Sequence, residues 1–512
     1  MNFEPEPGAF AAAWRSGATQ AVWTRLIDDL ETPVSAWLKL AQERPYAFLF
    51  ESVEGGAWRG RYSILAMDPD LVWRCAGARA EVSRGEEIGQ GRFTAEREDA
   101  LSSLRDLVAA SRFDLPAGLP PMAAGLFGVI GYDMIRLIEP VSAVNPDPLG
   151  LPDAVMIRPS LVAIFDSIAQ EILLITTVRP SDAAADAALA MAQERLRAAA
   201  EALASPIPAR PPAPAAAPSG PAASLKPGAS RAQYGTIVER AKALIRAGDI
   251  FQVVPSHRLS MDFPGDSFSL YRSLRRTNPS PFLFHLAFPG WSLIGSSPEI
   301  LVRLRDGKIT IRPIAGTRRR GATPEEDEAL ERELLTDEKE RAEHLMLLDL
   351  GRNDVGRVAR LGQEGRNAKA GTPPHVRVTQ SFGIERYSHV MHIVSNVEGD
   401  APERVDPVDV LMAALPAGTL SGAPKVRAMQ IIDELESVKR GVAYAGAAGY
   451  IAADGSVDTC IVLRTGLLKD GVLYVQAGGG IVFDSDPDAE YEETLAKARA
   501  LETAAQEAWR FA

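Results

Sequence analysis

Two acidic segments carry carboxylates at a spacing that could hold a metal ion. Glu340 and Glu343 are three residues apart, and so are Glu490 and Glu493. Residues three apart share one face of a helix, so each pair would present its carboxylates together. Four such ligands converging from two helices would suit Mg²⁺, a hard cation that prefers oxygen. The same spacing is typical of a charged helix face in water, and these residues alone leave both interpretations open.

Three consecutive glycines, Gly478 to Gly480, follow the strand-like sequence LYVQA. Consecutive glycines let a backbone approach a ligand closely and offer N–H groups to an anion, although a flexible turn has the same composition. The run is neither a P-loop nor a dinucleotide-binding fingerprint, because GK[ST] and GxGxxG are both missing. Residues 418–425 also lack P-loop spacing, so a nucleotide site is not expected.

Two histidines, His389 and His392, lie in the strand-like sequence SHVMHIV. Strand residues three apart point to opposite faces, and no third His or Cys is near, so a zinc site is not expected. Either histidine could be catalytic or could be a hydrogen-bonded structural group. No GxSxG or Cys–His arrangement indicates a covalent nucleophile.

The elements that must position these residues lie on both sides of a segment rich in Pro, Ala, Gly and Ser. This segment, 204–230, favours an extended linker. An Ala-rich helix is predicted over 182–204, and Ser230 is a candidate N-cap for a helix that ends near Arg246. We therefore expect an N-terminal domain over 1–203 and a C-terminal catalytic domain over 231–512.

The strand-like runs are short and lack regular βαβ alternation, which disfavours a doubly wound parallel sheet. Hairpin turns are predicted at 453–455 and 469–471, where Asp precedes Gly. The pattern favours an α+β fold with large antiparallel sheets. Strands are predicted over 46–50, 62–65, 161–165, 172–176, 250–255, 282–288, 308–312, 389–397, 448–452, 459–465 and 472–477.

Composition and charge narrow the class of protein. The 512 residues carry a formal net charge of -12, which disfavours non-specific binding to nucleic acid. The two cysteines, Cys75 and Cys460, are too few for a disulfide framework. The N-terminus lacks a signal-peptide pattern, and the most apolar stretch, 118–131, is too short to span a bilayer. We expect a cytoplasmic enzyme with no membrane or nucleic-acid partner.

Longer segments, taken in order, resemble the chorismate-utilising enzyme family, and within it the anthranilate synthase component I group. The resemblance covers roughly residues 22–505. It implies the anthranilate synthase component I fold, in which two intertwined domains form a layered α/β/β/α sandwich of large antiparallel sheets. The segments that carry it are LFESVEGGAWRGRYSI, GLFGVIGYD, GDIFQVVPS, NPSPFLFHL, GSSPEILV, PIAGTRRRG, ERAEHLMLLDLGRNDVGRV, SHVMHIVSNVEG, LPAGTLSGAPKVRAM, YAGAAGY, DTCIVLRT and QAGGGIVFDSDPDAEYEET.

The resemblance also implies roles for individual residues. Glu299 is expected to be the general acid, with His392 and Thr419 as further catalytic residues. The expected Mg²⁺ ligands are Glu343 and Glu493, supported by Glu340 and Glu490. The expected chorismate contacts are Gly316, Thr317, Tyr444, Arg464, Gly478, Gly479, Gly480 and Lys497.

The expected reaction needs these residue types. Chorismate must lose its C4 hydroxyl while ammonia attacks C2, and hydroxide is a poor leaving group unless an acid such as Glu299 protonates it. Mg²⁺ would anchor the ring carboxylate. Relatives that use a lysine nucleophile or a lysine base carry it where this chain has Ala315 or Gln252. Ammonia is therefore the expected nucleophile, and anthranilate and pyruvate are the expected products.

Two alternative functions remain open at this point. Some aminodeoxychorismate synthases lack the nucleophilic lysine, so component I of that enzyme is the first alternative. The second is a non-catalytic regulator that binds tryptophan or chorismate. Degraded acidic or glycine motifs would favour the regulator, and these motifs are complete in this sequence.

The resemblance further implies feedback inhibition by tryptophan. The expected tryptophan site consists of Glu51, Ser52, Pro281, Phe282 and Leu283. The last two replace the more usual Tyr and Met with apolar residues of similar shape. No glutamine amidotransferase signature follows residue 505, so ammonia is expected from a separate small subunit, component II, within a heterotetramer.

Overall fold

The structure, a computed structural model, describes residues 1–42, 44–52, 60–142, 145–208, 224–361, 376–386 and 390–511. Residues 209–223 of the predicted linker, and His389, lie outside the described residues. Within the described ranges, no helix is both long enough and apolar enough to cross a bilayer.

Capping residues set the helix ends. The Ser230 hydroxyl accepts a hydrogen bond from the Gln233 N–H, and the Gln233 side chain accepts one from the Ser230 N–H, so a helix begins at Arg231 as predicted. Asp486 caps the helix that carries Glu490, since its side chain accepts a hydrogen bond from the Ala489 N–H. The described α-helices are α1 (Pro7–Arg15), α2 (Pro33–Leu40), α3 (Glu86–Gly89), α4 (Ala100–Ser111), α5 (Ala185–Ala204), α6 (Arg231–Arg246), α7 (Ser267–Thr277), α8 (Pro324–Thr336), α9 (Glu338–Leu361), α10 (Pro407–Ala414), α11 (Lys425–Leu435) and α12 (Pro487–Glu507).

Tight turns join many of the strands. Asp470 and Gly471 both have positive φ, 51° and 74°, as a two-residue type I′ hairpin requires. The first described strands are β1 (Gln20–Ile27), β2 (Ala47–Glu51), β3 (Tyr62–Ala76), β4 (Arg79–Arg84), β5 (Thr94–Asp99), β6 (Gly125–Ile130), β7 (Ala154–Asp166), β8 (Glu171–Val178), β9 (Lys226–Pro227), β10 (Gln252–Val253), β11 (Ser256–Asp262) and β12 (Phe282–Phe288). They are followed by β13 (Trp291–Ser297), β14 (Ile300–Arg305), β15 (Lys308–Ile311), β16 (Ile314–Arg319), β17 (Val376–Arg386), β18 (Val390–Asp400), β19 (Gly422–Ala423), β20 (Ala447–Ala452), β21 (Val457–Ile461), β22 (Thr465–Lys469) and β23 (Val472–Gly478).

The paired strands form two antiparallel layers that combine both halves of the chain. The first layer runs β1, β8, β7, β3, β2, β12, β13, β22, β23, β11, β9. The second runs β5, β4, β3, β7, β6, β20, β21, β14, β15, β18, and β16 and β17 also pair with β18. The pairs β2–β12 and β6–β20 join the halves, so the intertwined arrangement is confirmed. The boundary at 204–230 stays a prediction.

Two long strands, β3 and β7, pass from one layer to the other. Their pairing shifts register between Pro69 and Leu71, next to Asp68 at a φ of 53°. Leu65, before the shift, packs into the core that faces one set of helices, whereas Trp73, after it, packs into the core on the other side. The sequence prediction ended this strand at Leu65, and it was wrong because the irregular segment MDPD interrupts the alternation without ending the ladder.

Three hydrophobic cores produce the α/β/β/α layering. One core packs α2, α5, α7 and α12 against the first sheet, and another packs α4, α9 and α10 against the second. The core between the sheets contains strand residues from both, such as Phe48 and Phe127. The expected fold class is therefore confirmed, and the cores hold α9 and α12, which carry the acidic pairs, in fixed positions.

Candidate active site

The predicted site residues converge on one cavity of about 680 Å³ in the C-terminal half. Its walls come from β10, β16, β18, β23, α9, α12 and the loops around them. The predicted site residues that line it are Glu299, Gly316, Thr317, Glu340, Glu343, His392, Thr419, Tyr444, Arg464, Gly478, Gly480, Glu490, Glu493 and Lys497.

Gly479 does not line the cavity but lies next to the carboxylates of α12, and a side chain at this position would have to displace one of them. A Cβ atom at Gly479 would lie 2.7 Å from Glu490 Oε2 and 3.8 Å from Glu493 Oε1. A Cβ at Gly316, where φ is 73°, would lie 3.2 Å from Glu340 Oε2. The absence of a side chain at these two glycines therefore lets the backbone of β16, and the backbone just after β23, lie close to the acidic side chains. A flexible turn alone would not require this close approach.

Glu299 is held as a neutral acid. Burial raises the pKa of its carboxyl to about 8, although a hydrogen bond from Thr419, the Ile314 N–H and the nearby Arg464 all act to lower it. The Thr419 hydroxyl lies 3.2 and 3.3 Å from the two carboxyl oxygens. Because desolvation disfavours the charged form most, Glu299 keeps its proton at neutral pH and can donate it to a substrate.

His392 is a neutral imidazole with a defined tautomer. Its Nδ1 lies 3.1 Å from the Gly316 carbonyl oxygen and 3.0 Å from the Thr317 hydroxyl. A carbonyl oxygen only accepts hydrogen bonds, so the ring proton sits on Nδ1 and Nε2 is an acceptor. Burial, reinforced by Arg464, lowers the pKa of His392 to about 4. At neutral pH this ring can accept a proton at Nε2.

Arg464 has an uncommon backbone conformation. Its φ is 47°, a left-handed value that few non-glycine residues adopt. The sequence predicted one strand over 459–465, and this was wrong: β21 ends at Ile461 and β22 begins at Thr465. The left-handed residue breaks the ladder between them and places the Arg464 side chain at the cavity. A guanidinium there suits a carboxylate ligand.

The four predicted metal ligands form a cluster of repelling charges. Burial raises the pKa of Glu343, and the charges of Glu340 and Glu493 raise it further. Burial and Glu493 do the same for Glu490, although Ser485 opposes the rise. Helices α9 and α12 therefore bring the two acidic pairs into electrostatic contact across the cavity.

Comparison with known proteins agrees with this geometry. A family model described as chorismate binding enzyme matches residues 47–503. An anthranilate synthase component 1 from Cereibacter sphaeroides is 54% identical over 98% of this chain and 98% of its own. The chain belongs to the anthranilate synthase component 1 branch of the chorismate-binding enzymes. The resemblance expected from the sequence segments is confirmed.

Solved structures support the same family fold. The crystal structure of anthranilate synthase component I from Streptococcus pneumoniae matches with a TM-score of 0.73 and 35% identity, covering 94% of this chain and 99% of that one. A menaquinone-specific isochorismate synthase from Escherichia coli matches with a TM-score of 0.67 over 98% of this chain and 100% of its own. At 18% identity, this second likeness shows the fold alone.

The acidic cluster of this chorismate-binding enzyme has the donor chemistry for a divalent cation. Glu490 Oε2 is buried without a hydrogen-bond partner among the described residues, and the charges near this carboxylate include Glu493 as well as Lys497 and Lys339. Two of the four predicted metal ligands form ion pairs in this structure: Glu493 lies 2.8 Å from Lys497, and Glu340 lies 3.1 Å from Arg318. Within the described ranges, no three carboxylate, imidazole or thiolate groups surround a single metal position. A bound cation would therefore displace these ion pairs.

The expected tryptophan residues of this enzyme meet in the first sheet, outside the cavity. Leu283 of β12 pairs with Glu51 of β2. Arg275 holds the buried Glu51 carboxylate through its Nε at 2.8 Å and its second nitrogen at 3.0 Å, and the Tyr271 hydroxyl donates to it as well. Ser52 Oγ is buried and has no hydrogen-bond partner in the described part of the chain. The structure thus brings Glu51 and Ser52 beside the segment that contains Phe282.

Several cavity residues were not singled out as ligands from the sequence. Asn278, Pro279 and Ser280 line the cavity, although their segment, NPSPFL, was assigned to the tryptophan site. The segment lies between the end of α7 and the start of β12, so its first three residues line the cavity and its last three do not. Gln476 also lines the cavity, and its position in QAGGG next to Gly478 is the sequence signal that could have found it.

Proposed function

We propose that this chain converts chorismate and ammonia into anthranilate and pyruvate, as the large subunit of an anthranilate synthase. The observation that carries the proposal is the burial of Glu299, which raises its pKa to about 8, at a cavity wall shared with Arg464 and His392. The activity named for its relative from Cereibacter sphaeroides supports the same assignment. The reaction requires an acid for the leaving hydroxyl, and Glu299 supplies one at neutral pH.

The cavity wall favours ammonia as the nucleophile. Ala315 and Gln252 line the cavity at the positions where lysine would provide an amine or a base. Gln252 is 2% exposed, and its Oε1 has no hydrogen-bond partner among the described residues. A buried acceptor without a hydrogen bond raises the free energy of the folded state, and an N–H of incoming ammonia would donate a hydrogen bond to Gln252 Oε1. We assign Gln252 to orienting ammonia while the C2–N bond forms and the C4–O bond breaks.

His392 is assigned to the second half of the reaction. The aminated intermediate becomes aromatic when the proton on C2 is removed and pyruvate departs. The neutral ring, with its proton on Nδ1, presents Nε2 as the base for this step. Arg464, Tyr444 and Lys497 are assigned to the substrate carboxylates and ring, since all three line the cavity.

We propose Mg²⁺ as the cofactor. Glu343 and Glu493 would hold it directly, and Glu340 and Glu490 would support it. The ion would supply Lewis-acid chemistry at the ring carboxylate of chorismate. Lys497, released from Glu493, would then be available to meet a substrate carboxylate. Clustered like charges with a buried orphaned oxygen support this assignment.

We propose that the remaining expectations describe the physiological context. A separate glutamine amidotransferase, component II, would supply ammonia, and the component 1 designation of the relatives supports a second component. The two subunits would form a heterotetramer in the cytoplasm. Tryptophan would bind between Glu51, Ser52 and the segment from Pro281 to Leu283. The proximity of β2 and β12 supports that location.

Product identity is the decisive test of the proposed reaction. The purified chain is incubated with chorismate, a magnesium salt and an ammonium salt, and the product is identified by fluorescence and mass. Anthranilate with equimolar pyruvate is expected. Aminodeoxychorismate without pyruvate would assign the chain to the other branch. A folded chain that binds chorismate or tryptophan but leaves chorismate unchanged when no tryptophan is present would indicate a regulator.

A further inference from the structure

A row of paired residues crosses the first sheet from the proposed tryptophan site to the cavity. Glu51 of β2 pairs with Leu283 of β12, and Leu283 pairs with Ser296 of β13. The Ser296 N–H then donates to the Arg464 carbonyl oxygen at 3.2 Å. Neighbouring strands are about 4.8 Å apart, so three steps span about 14 Å. The Ser296 N–H faces Arg464, so Leu283 and Ser296 are a non-hydrogen-bonded pair whose side chains lie close together. The two places are therefore connected by residues on adjacent strands.

A second connection runs through α7 and reaches the same serine. The Glu51 carboxylate accepts hydrogen bonds from Tyr271 and Arg275, both on α7. Asn278 ends this helix, and its N–H donates to the Leu274 carbonyl oxygen at 2.8 Å. The Asn278 side chain donates to Ser296 Oγ at 3.1 Å, and Ser296 Oγ donates back to the Asn278 carbonyl oxygen. Both connections from Glu51 therefore end at Ser296.

Ser296 is placed to hold two parts of the cavity together. It is fully buried, with 0% of its surface exposed, and it does not itself line the cavity. Its hydroxyl binds Asn278, a cavity residue, and its N–H binds the carbonyl oxygen of Arg464, whose left-handed backbone needs such support. A shift of α7 or β12 would move Asn278 and Arg464 through this one residue.

We propose that Ser296 is a positioning residue that transmits occupancy of the tryptophan site to the chorismate cavity, and this rests on the proposed feedback function. Tryptophan bound beside Glu51 would displace α7 and β12. The hydrogen bonds of Ser296 would transmit that displacement to Asn278 and Arg464. Two buried hydrogen bonds to a neutral partner correspond to a coupling of roughly tenfold to thirtyfold, within the usual range for allosteric proteins.

The experiment measures reciprocal coupling in Ser296→Ala. Calorimetry gives the tryptophan Kd of the magnesium-loaded enzyme with and without saturating chorismate, and initial rates give KM and kcat. The wild type is expected to bind tryptophan at least about fivefold more weakly with chorismate present. In Ser296→Ala the Kd without chorismate stays within about threefold of the wild-type value, while the weakening by chorismate nearly disappears. KM rises more than kcat falls, since the cavity residue Asn278 loses its two hydrogen bonds to the Ser296 hydroxyl, while the backbone bond from Ser296 to Arg464 remains.

Matched variants separate coupling from folding. Ser292→Ala makes the same change in the same strand, opposite Ala287 and Leu468, and is expected to behave as wild type. Ser296→Cys keeps the volume with a weaker hydrogen-bonding group and is expected to show intermediate coupling. If Ser296→Ala does not fold, the Cys variant decides the question.

Two results would overturn the inference. Wild-type coupling in a folded Ser296 variant would show that the signal passes elsewhere, and loss of tryptophan binding itself would make Ser296 a structural part of the inhibitor site. A wild-type enzyme that makes anthranilate but does not bind tryptophan would reject the feedback site, and the inference with it, while the proposed reaction stands.

Discussion

The strongest prediction concerns the acid Glu299. A rise in its pKa from 4.5 to about 8 favours the neutral carboxyl by roughly 5 kcal/mol. About nine-tenths of the free enzyme is then protonated at pH 7, and the protonated fraction falls roughly tenfold per pH unit above 8. We expect kcat/KM for chorismate to follow this fraction, and Glu299→Gln to lower kcat by about 10² to 10⁴, the usual contribution of a general acid.

The assay must separate Glu299 from the nucleophile. Only unprotonated ammonia attacks, and its fraction rises with pH, so rates are measured at constant free NH₃. We expect kcat/KM to begin to fall near pH 8. We expect kcat to begin to fall at a higher pH, since a bound anionic substrate opposes ionisation of Glu299. A kcat/KM that stays level up to about pH 9.5, at constant free NH₃, would refute a general acid with this pKa.

Stability supplies an independent measurement of the same pKa. Burial raises the pKa of Glu299 in the folded state above its value in the unfolded chain. The contribution of this carboxyl to the free energy of unfolding is therefore fully present below the unfolded-state pKa, and it is lost as pH rises through the folded-state pKa. The wild type should lose roughly 3 kcal/mol between about pH 6 and 9 from this group alone. The free energy of unfolding of Glu299→Gln should fall less over the same pH range, and the change in Tm with pH measures this difference. Glu328→Gln, an exposed change on α8, serves as the control and should match the wild type.

Three further predictions follow from the site. Chelation of Mg²⁺, or Glu343→Gln, should abolish turnover with little change in Tm, and full activity in EDTA would refute the metal assignment. Ser52→Phe should raise the tryptophan concentration needed for half-inhibition at least about tenfold with little loss of activity, because the ring fills the proposed pocket; an unchanged inhibition curve would exclude Ser52 from it. The isolated chain should make anthranilate from ammonium salts but not from glutamine, since Cys75 and Cys460 are buried and burial raises the pKa of both thiols. Glutamine-dependent synthesis by the chain alone would contradict the need for a partner.

Local features of the fold could be predicted because their causes lie within a few residues. The Ser230 cap, the turn at Asp470 and Gly471, and the spacing of Glu340 and Glu343 all depend on neighbours in sequence. Where a local signal was ambiguous, the prediction was wrong. The irregular segment after Leu65 concealed a strand that continues to Ala76.

The sequence by itself determined the family, the fold class and which residue types are available for the reaction, since ordered motifs and periodic patterns are properties of the chain. Only the tertiary structure decided how those residues act. Glu299 becomes a usable acid because long-range packing removes water from its carboxyl, and Arg464 faces the cavity because its backbone leaves the ladder between β21 and β22. Desolvation and cross-strand contact depend on partners distant along the chain, so no pattern of neighbouring residues contains them.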